Sequence, residues 1–392
     1  MLIHENSDSE ALRATARALL AAHSGYDAHH VAFAPGRVNL IGEYTDFNHG
    51  FVLPCALEVG TAVAVHPRDD GRVIAVSVNR DTLHHDNFDL NGSLTPAPAG
   101  TWSNYLRGVA AAMIRAGYRL PGASLAIVGN VPQGAGLSSS ASLSVAIARA
   151  LLSISDPNTA DAATLASWAQ WSEHHFAGCR CGIMDPMAAA AAEPGAAMLL
   201  DCRSLERRAI TLPKTMAVLI AHSGVHRQLV DGEYNRRREQ CEAVVAASGV
   251  AALRDLDSAG LEALRSKISP TEFRRARHVV SENDRVLSAV RALEHGDLQI
   301  LGRLLHASHE SLRDDFEVTV PAVNALVECL EGSIRRHAEG RGGARMTGGG
   351  FGGCVVAVMD AAALPQVEKD LRRWLQAHVD GPPLVLQVGA PR

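Results

Sequence analysis

Apolar residues recur at helical spacing over residues 11–22 and then give way to short alternating runs. Residues 29–36 read as a strand closed by Pro35 and Gly36, and the β-branched runs 61–67 and 72–78 read as two strands that pair with each other. The pattern then predicts a helix over 102–117, a strand over 124–130, helices over 143–152, 164–176 and 185–192, and a strand over 196–201. A strand over 216–223 opens a mainly helical section, with helices predicted over 232–247, 270–295, 297–313 and 321–337. The chain returns to strand at 354–360, helix at 364–378 and strand at 383–388. No internal repeat or low-complexity linker interrupts it. Antiparallel-looking strands mixed with helices predict an α+β protein, with domains at 1–205 and 206–392.

Composition narrows the function classes. With 392 residues and 47% apolar content, the chain can build two real cores. A net charge of −5 argues against a protein devoted to nucleic acid or anionic membrane. The basic run Arg236, Arg237, Arg238 is flanked by Glu233 and Glu239, which predicts a solvated helix face. The seven cysteines are odd in number and scattered, and only Cys179 and Cys181 lie close, so no zinc set is formed. Reduced thiols and a first segment without a long apolar core predict a cytoplasmic protein. The alanine-rich stretch after Met187 is broken by Glu193, Pro194 and Gly195 and is no membrane span.

Three stretches carry the candidate chemistry. The first, APGRVNLIGEYTDFNHGFVLP from Ala34 to Pro54, sets Arg37 beside Glu43 and Asp46 in a turn-rich segment. A cation and two carboxylates on a short loop suit a polyhydroxylated ligand, because carboxylates accept from pairs of sugar hydroxyls; ion pairs on a surface loop are the alternative. The second, GNVPQGAGLSSSAS from Gly129 to Ser142, runs strand, glycine loop, helix without any lysine. Successive backbone N–H groups and the positive end of a helix can hold phosphate by themselves. Ser138, Ser139 and Ser140 would sit at the first helical turn, where a hydroxyl either caps the helix or binds Mg²⁺. The third, GGARMTGGGFGGCVVAV starting at Gly342, crowds Gly348, Gly349, Gly350, Gly352 and Gly353 before a buried strand. Their conformational cost predicts a close backbone approach, read as a second wall near phosphates or sugar.

Together the three resemble the signature motifs of the GHMP kinase superfamily, and the first resembles the galactokinase signature in particular. CGIMD at Cys181, LLDCRSL at Leu199, GEYNRRREQC at Gly232 and RDDFEVTVP at Arg313 are also similar to galactokinases. The resemblance implies a two-domain GHMP kinase fold with the active site in the interdomain cleft. It implies transfer of the γ-phosphoryl group of ATP to the anomeric hydroxyl of α-D-galactose, the first step of galactose breakdown, with Mg²⁺ as cofactor. Gly134, Ala135, Gly136, Leu137, Ser138, Ser139 and Ser140 would cradle the triphosphate, Ser77 would line the adenine pocket, and Ser140 and Glu173 would hold the metal. On pattern alone Glu173 reads as an exposed helix carboxylate.

By the same resemblance, Asp185 would take the sugar proton, and Arg37 would stabilise charge on the moving phosphoryl. A loose transition state asks for little base strength, so Asp185 can orient and accept. Glu43, Tyr44, Thr45, Asp46, Gly182 and Tyr234 would form the sugar site. The expected partners are a galactose-like sugar and ATP, with the protein a monomer or weak homodimer.

Four positions depart from the family pattern. Tyr44 replaces a histidine, Phe47 a tyrosine, His49 an acidic or small residue, and Pro186 a glutamine. Tyr44 is expected to shift the preference at one sugar hydroxyl, that on C6. Pro186 fits a helix start with Asp185 as N-cap. Tyr44 keeps open a kinase for a galactose derivative or amino sugar. A non-catalytic sugar and ATP sensor is the third reading, against which the intact GAGLSSSAS, Arg37, Glu173 and Asp185 speak.

Overall fold

Asp8 starts the first helix by accepting from the Ala11 N–H, and Gly25 ends it in the left-handed conformation. Between them Leu12, Ala16 and Leu20 form one buried stripe, as the spacing predicts. The computed structural model describes residues 8–79, 82–226 and 230–388. In chain order the elements are α1 (Ser9–Ser24), β1 (His30–Asn39), β2 (Phe51–Val52), β3 (Pro54–Arg68), β4 (Arg72–Asn79), β5 (Thr82–Asp89), α2 (Ser103–Arg115), β6 (Gly122–Gly129) and α3 (Ser139–Leu152). They continue as α4 (Ala162–Ser172), α5 (Met184–Ala191), β7 (Ala196–Asp201), β8 (Arg207–Thr211), β9 (Met216–His222), α6 (Val230–Ser248), α7 (Ser258–Glu262), α8 (Pro270–Glu294) and α9 (Leu298–Asp314). The last are α10 (Pro321–His337), β10 (Gly342–Met346), β11 (Cys354–Asp360), α11 (Leu364–His378) and β12 (Val385–Val388).

The chain divides into two units that interleave along the sequence. One comprises Met1–Arg37, Leu57–Gln133 and Ser138–Ala191; the other comprises Val38–Ala56, Gly134–Leu137 and Ala192–Arg392. In the first unit the strand order is β3-β6-β4-β5, with β1 on β3. The expected pairing of β3 with β4 does not occur, because β6 lies between them, antiparallel to β3 and parallel to β4. Almost all of β6 is buried, and such a strand takes a central place. Leu12, Ala16 and Leu20 pack with Val31, Ala62, Ala64, Val76, Ala126 and Val128. β1 runs through Pro35 and Gly36, where the sequence suggested its end, and so carries Arg37 within a strand.

In the second unit β2 and β8 flank β7, and Cys55 pairs with Ala197. A second sheet, ordered β10-β11-β9-β12, is antiparallel throughout. Its core joins Leu219, Val355 and Ala357 to Phe273, Val279, Leu312, Phe316 and Leu330. Ser269 and Glu272 form a reciprocal cap at the start of α8, with Pro270 as its first residue. That long helix then supplies His278, Glu282 and Asn283 to the loop carrying the first signature. None of the seven cysteines, all among the described residues, forms a disulfide, and burial pushes the thiols of Cys55 and Cys241 up to about 12. Among the described residues no helix is long and apolar enough to cross a membrane.

Candidate active site

One carboxylate gathers three elements of the first unit. Arg37 of β1 donates from Nε to Asp185 Oδ1 and from Nη2 to Asp185 Oδ2, both at 2.7 Å. Ser138, at the start of α3, donates from Oγ to Asp185 Oδ2 at 2.5 Å. A guanidinium fork fixes the plane of the carboxylate as well as its charge. The Arg37 side chain is only 4% exposed, whereas that of Asp185 is 27% exposed and therefore reachable. α5 begins at Met184, so Asp185 lies inside its first turn and not at the N-cap. Pro186 precedes the first helical bond, Met187 N–H to the Ile183 carbonyl at 3.0 Å, so its missing donor costs nothing. Gly182 is buried just before this helix.

The glycine loop before α3 is built from unusual backbone. Gly134 and Gly136 have φ of 69° and 80°, and Ser138 shares that region at φ 59°. A side chain there costs about 1 kcal/mol or more. Ser138 is the N-cap of α3, yet its hydroxyl makes no capping bond. Capping, the ordinary use of a serine here, is replaced by the bond to Asp185. Ala135 and Leu137 are buried, Gly134 is exposed, and Ser139 and Ser140 are half-buried as the first two residues of α3. In the first unit Ser77, Thr61, Trp102, His84 and Ser139 line a cavity of about 470 Å³. Ser77 is thus on a cavity wall. Trp102, Thr61 and His84 went unread, and β5, which supplies His84, is a polar edge strand without an apolar pattern.

Glu173 departs from its exposed-helix reading. It is 5% exposed and opens a π-helical turn, Glu173–Ala177, closed by Gly178. Such turns widen a helix locally and often mark functional sites. The Cys181 thiol donates to Glu173 Oε2 at 2.8 Å. Its bond with Cys179, burial and the Glu173 carboxylate together push this thiol up, so it stays a donor.

The second unit holds the rest of the first signature. Glu43 is 1% exposed, accepts from Asn39 Nδ2 and the Gly348 N–H at 2.9 Å each, and pairs closely with the fully buried Arg345. Thr45 is fully buried, its hydroxyl bonded to the carbonyls of Gly42 and Phe51 at 2.9 and 2.7 Å. Glu43 and Thr45 are therefore internal struts of the loop. Asp46 is 7% exposed and accepts from the Phe47 N–H at 3.0 Å. Tyr44, at φ 67°, packs its ring 4.5 Å from that of Phe316 and 5.2 Å from that of Tyr234, and its hydroxyl donates to the Gly349 carbonyl at 2.6 Å. Gly50 is required, since a Cβ would meet Asn283 Oδ1 at 2.3 Å.

The third signature's glycines approach the chain itself. A Cβ on Gly350 would lie 2.2 Å from the Val318 carbonyl, the Phe351 N–H donates to that carbonyl at 2.7 Å, and the Cys354 N–H donates to the carbonyl of Ala135 in the glycine loop before α3 at 3.1 Å. Arg237, predicted to lie on a solvated face, is buried instead and donates to the Phe316 and Glu317 carbonyls at 2.8 and 2.9 Å. No helical pattern could announce acceptors about 80 residues away.

Beneath the signature loop lies a buried charge network. Glu282 accepts from the Gly42 N–H at 3.0 Å, Ser308 at 2.6 Å and Arg285 at 2.6 Å. His278 Nε2 faces the Glu43 carbonyl at 3.1 Å; a carbonyl only accepts, so Nε2 carries the proton and Nδ1 accepts from Ser311 at 2.9 Å. Burial lowers His278 and His309 from 6.5 to about 4. The folded protein then binds fewer protons than the unfolded chain between those values, so stability is full above 6.5 and falls as pH drops towards 4. The loss approaches about 3 kcal/mol per histidine. Burial raises Glu43 and acts in the opposite sense, one group against two. Urea midpoints at pH 7.5 and pH 5 are expected to differ clearly, the acid one lower; equal midpoints would contradict neutral buried imidazoles.

Comparison with known proteins identifies relatives of the chain. The chain matches the galactokinase galactose-binding signature over residues 21–67, the GHMP kinases N terminal domain over 104–193 and the GHMP kinases C terminal domain over 289–377. It is similar to Lactococcus lactis galactokinase, solved in complex with galactose, at 31% identity and TM-score 0.87, covering 95% of this chain and 96% of that one. Methanococcus jannaschii mevalonate kinase shares the fold at 16% identity and TM-score 0.63, over 92% of this chain and 98% of that one. Homoserine kinase from Cytophaga hutchinsonii does so at 16% identity and TM-score 0.58, over 93% and 96%.

Proposed function

Because the chain belongs to the galactokinase family of GHMP kinases, we propose that this sugar kinase moves the γ-phosphoryl group of ATP onto the anomeric hydroxyl of α-D-galactose. The observation that carries the reading is the half-open Asp185 carboxylate, held on one side by Arg37 and Ser138. The sugar C1 oxygen attacks the γ-phosphorus, the bond to the β-phosphate bridging oxygen breaks, and the C1 hydroxyl proton passes to Asp185 and then to solvent. Arg37 keeps the carboxylate in place and offers positive charge to the phosphoryl oxygens. Phosphoryl transfer relies on this kind of positioning and charge neutralisation more than on a strong base. The N–H groups of the phosphate loop and the positive end of α3 hold the triphosphate. The cavity beside Ser77 and Trp102 takes the adenine.

Among the described residues no three His, Cys, Asp or Glu side chains are grouped to hold a metal. A cation bound partly through phosphate oxygens needs no such group, and the Ser140 hydroxyl and buried Glu173 carboxylate are hard oxygen donors suited to Mg²⁺. When bound, Mg²⁺ would neutralise charge on the phosphates. Seven thiols without a disulfide suit a reducing, cytoplasmic setting.

Galactose is the preferred acceptor in this reading. The phenol of Tyr44 is tied to Gly349, so a histidine in its place would release that carbonyl and shorten the wall. ADP release is measured with galactose, 6-deoxygalactose, N-acetylgalactosamine, glucose and mannose, for the parent and for Tyr44→His. The parent is expected to prefer galactose by about tenfold or more in kcat/KM, with Tyr44→His changing chiefly the galactose to 6-deoxygalactose ratio. A different preferred sugar overturns the substrate assignment, and no sugar-dependent ADP release overturns the kinase reading. An unchanged ratio removes Tyr44 from specificity.

A further inference from the structure

Ser138 stands in a backbone conformation that its residue type disfavours, at φ 59° and ψ 49°. Left-handed backbone in a non-glycine residue persists only where the surroundings impose it, and such positions concentrate at functional sites. Two observations say what is obtained here. The Ser138 hydroxyl does not cap α3, and it donates to Asp185 Oδ2 at 2.5 Å. Asp185 thus receives three hydrogen bonds, two from Arg37 and one from Ser138. Ser138 is 8% exposed, so water competes poorly for that hydroxyl.

We propose that Ser138 is a positioning residue for Asp185 and not chiefly a ligand of the nucleotide. Its backbone strain turns the hydroxyl away from the helix and onto the carboxylate. With Arg37 it leaves Asp185 a single orientation in which to meet the C1 hydroxyl. The bond joins two side chains of the protein, so it acts on turnover and hardly on affinity. The inference rests on the reading that Asp185 accepts the sugar proton.

The test uses the full chain with Ser138→Ala, which removes the donor, and Ser138→Gly, which removes both donor and strain. Both are expected to lose about tenfold or more in kcat, while the KM for ATP and the galactose Kd by calorimetry stay within about twofold. Ser138→Gly should keep its melting temperature, because glycine accepts the left-handed backbone. Low kcat at undiminished stability is an outcome that a purely structural serine would not produce. Unchanged kcat in both variants overturns the proposal. So does a fall in kcat accompanied by an equal rise in the KM for ATP, which would return the hydroxyl to the nucleotide. Asp185→Asn is run alongside. If it is inactive and the serine variants are normal, only the role of Ser138 falls; if it is active, the assignment of Asp185 falls as well.

Discussion

Replacing Asp185 with asparagine is expected to lower kcat by about a thousandfold or more while the protein stays folded. The two side chains have the same shape, but the amide carries no charge and offers only one acceptor oxygen. It receives no proton at neutral pH, so the sugar hydroxyl would have to lose its own to water. Arg37 would also lose half of its fork, and its 4% exposure leaves little solvent to make good the loss. That part costs about 2 kcal/mol of stability, the usual size for a hydrogen bond to a charged group. The two effects are separable: thermal melting reports the second, and single-turnover phosphoryl transfer reports the first. A variant that transfers phosphoryl within tenfold of the parent would remove Asp185 from the chemistry.

Arg345→Met is expected to cost about 3–5 kcal/mol, the largest loss of stability foreseen for a single substitution here. Arg345 is fully buried, pairs closely with Glu43, lies 3.8 Å from Glu282 and donates to the Leu40 carbonyl at 3.1 Å. Methionine fills much of the volume and brings no cation. Burial acts to raise Glu282, but Arg285, His278 and Arg345 outweigh it and hold the carboxyl down at about 2; it keeps Arg285 after the change. Among the described residues Glu43 has Arg345 alone as a paired cation, and its burial already pushes it up. It would take up a proton or pull the loop open. Since Glu43 also accepts from the Gly348 N–H, the first and third signatures loosen together, and galactose KM rises with the fall in stability. Urea denaturation measures the first effect, and a midpoint shift worth less than about 1 kcal/mol would show that the network does not carry the loop. Double replacement of Arg345 and Glu43 should cost less than the sum of the single changes, because it leaves no lone buried carboxylate.

The two substitutions differ in how visible their targets were. Arg37 stands inside the first signature and Asp185 in CGIMD, and the roles proposed for them are those the resemblance implies. Arg345 stands inside a signature too, between glycines, but nothing near it in sequence names Glu43 or Glu282 as its partners. Glu173 looked exposed because helical periodicity says which face a residue shares and not what covers it. Ser138 looked like a cap because hydroxyls at helix starts usually are, and only its backbone angle and its distance to Asp185 say otherwise.

Local pattern determined the elements whose burial is continuous or strictly periodic. β7, β11, α10 and α11 begin and end at the expected residues, because a run such as CVVAVMD or an amphipathic helix with proline in its first turn is specified by its own side chains. The family, the glycine loop and the proposed pair of Arg37 and Asp185 were likewise present in linear order. Tertiary structure alone decided that β6 separates β3 from β4, that polar β5 is a strand, that Arg237 and Glu173 are buried, and that a serine serves a carboxylate instead of its own helix. The physical reason is common to all four. Hydrogen-bond partners and the cover over a charged group come from residues far along the chain, and a one-dimensional pattern records a residue's own preference but not its neighbour's position.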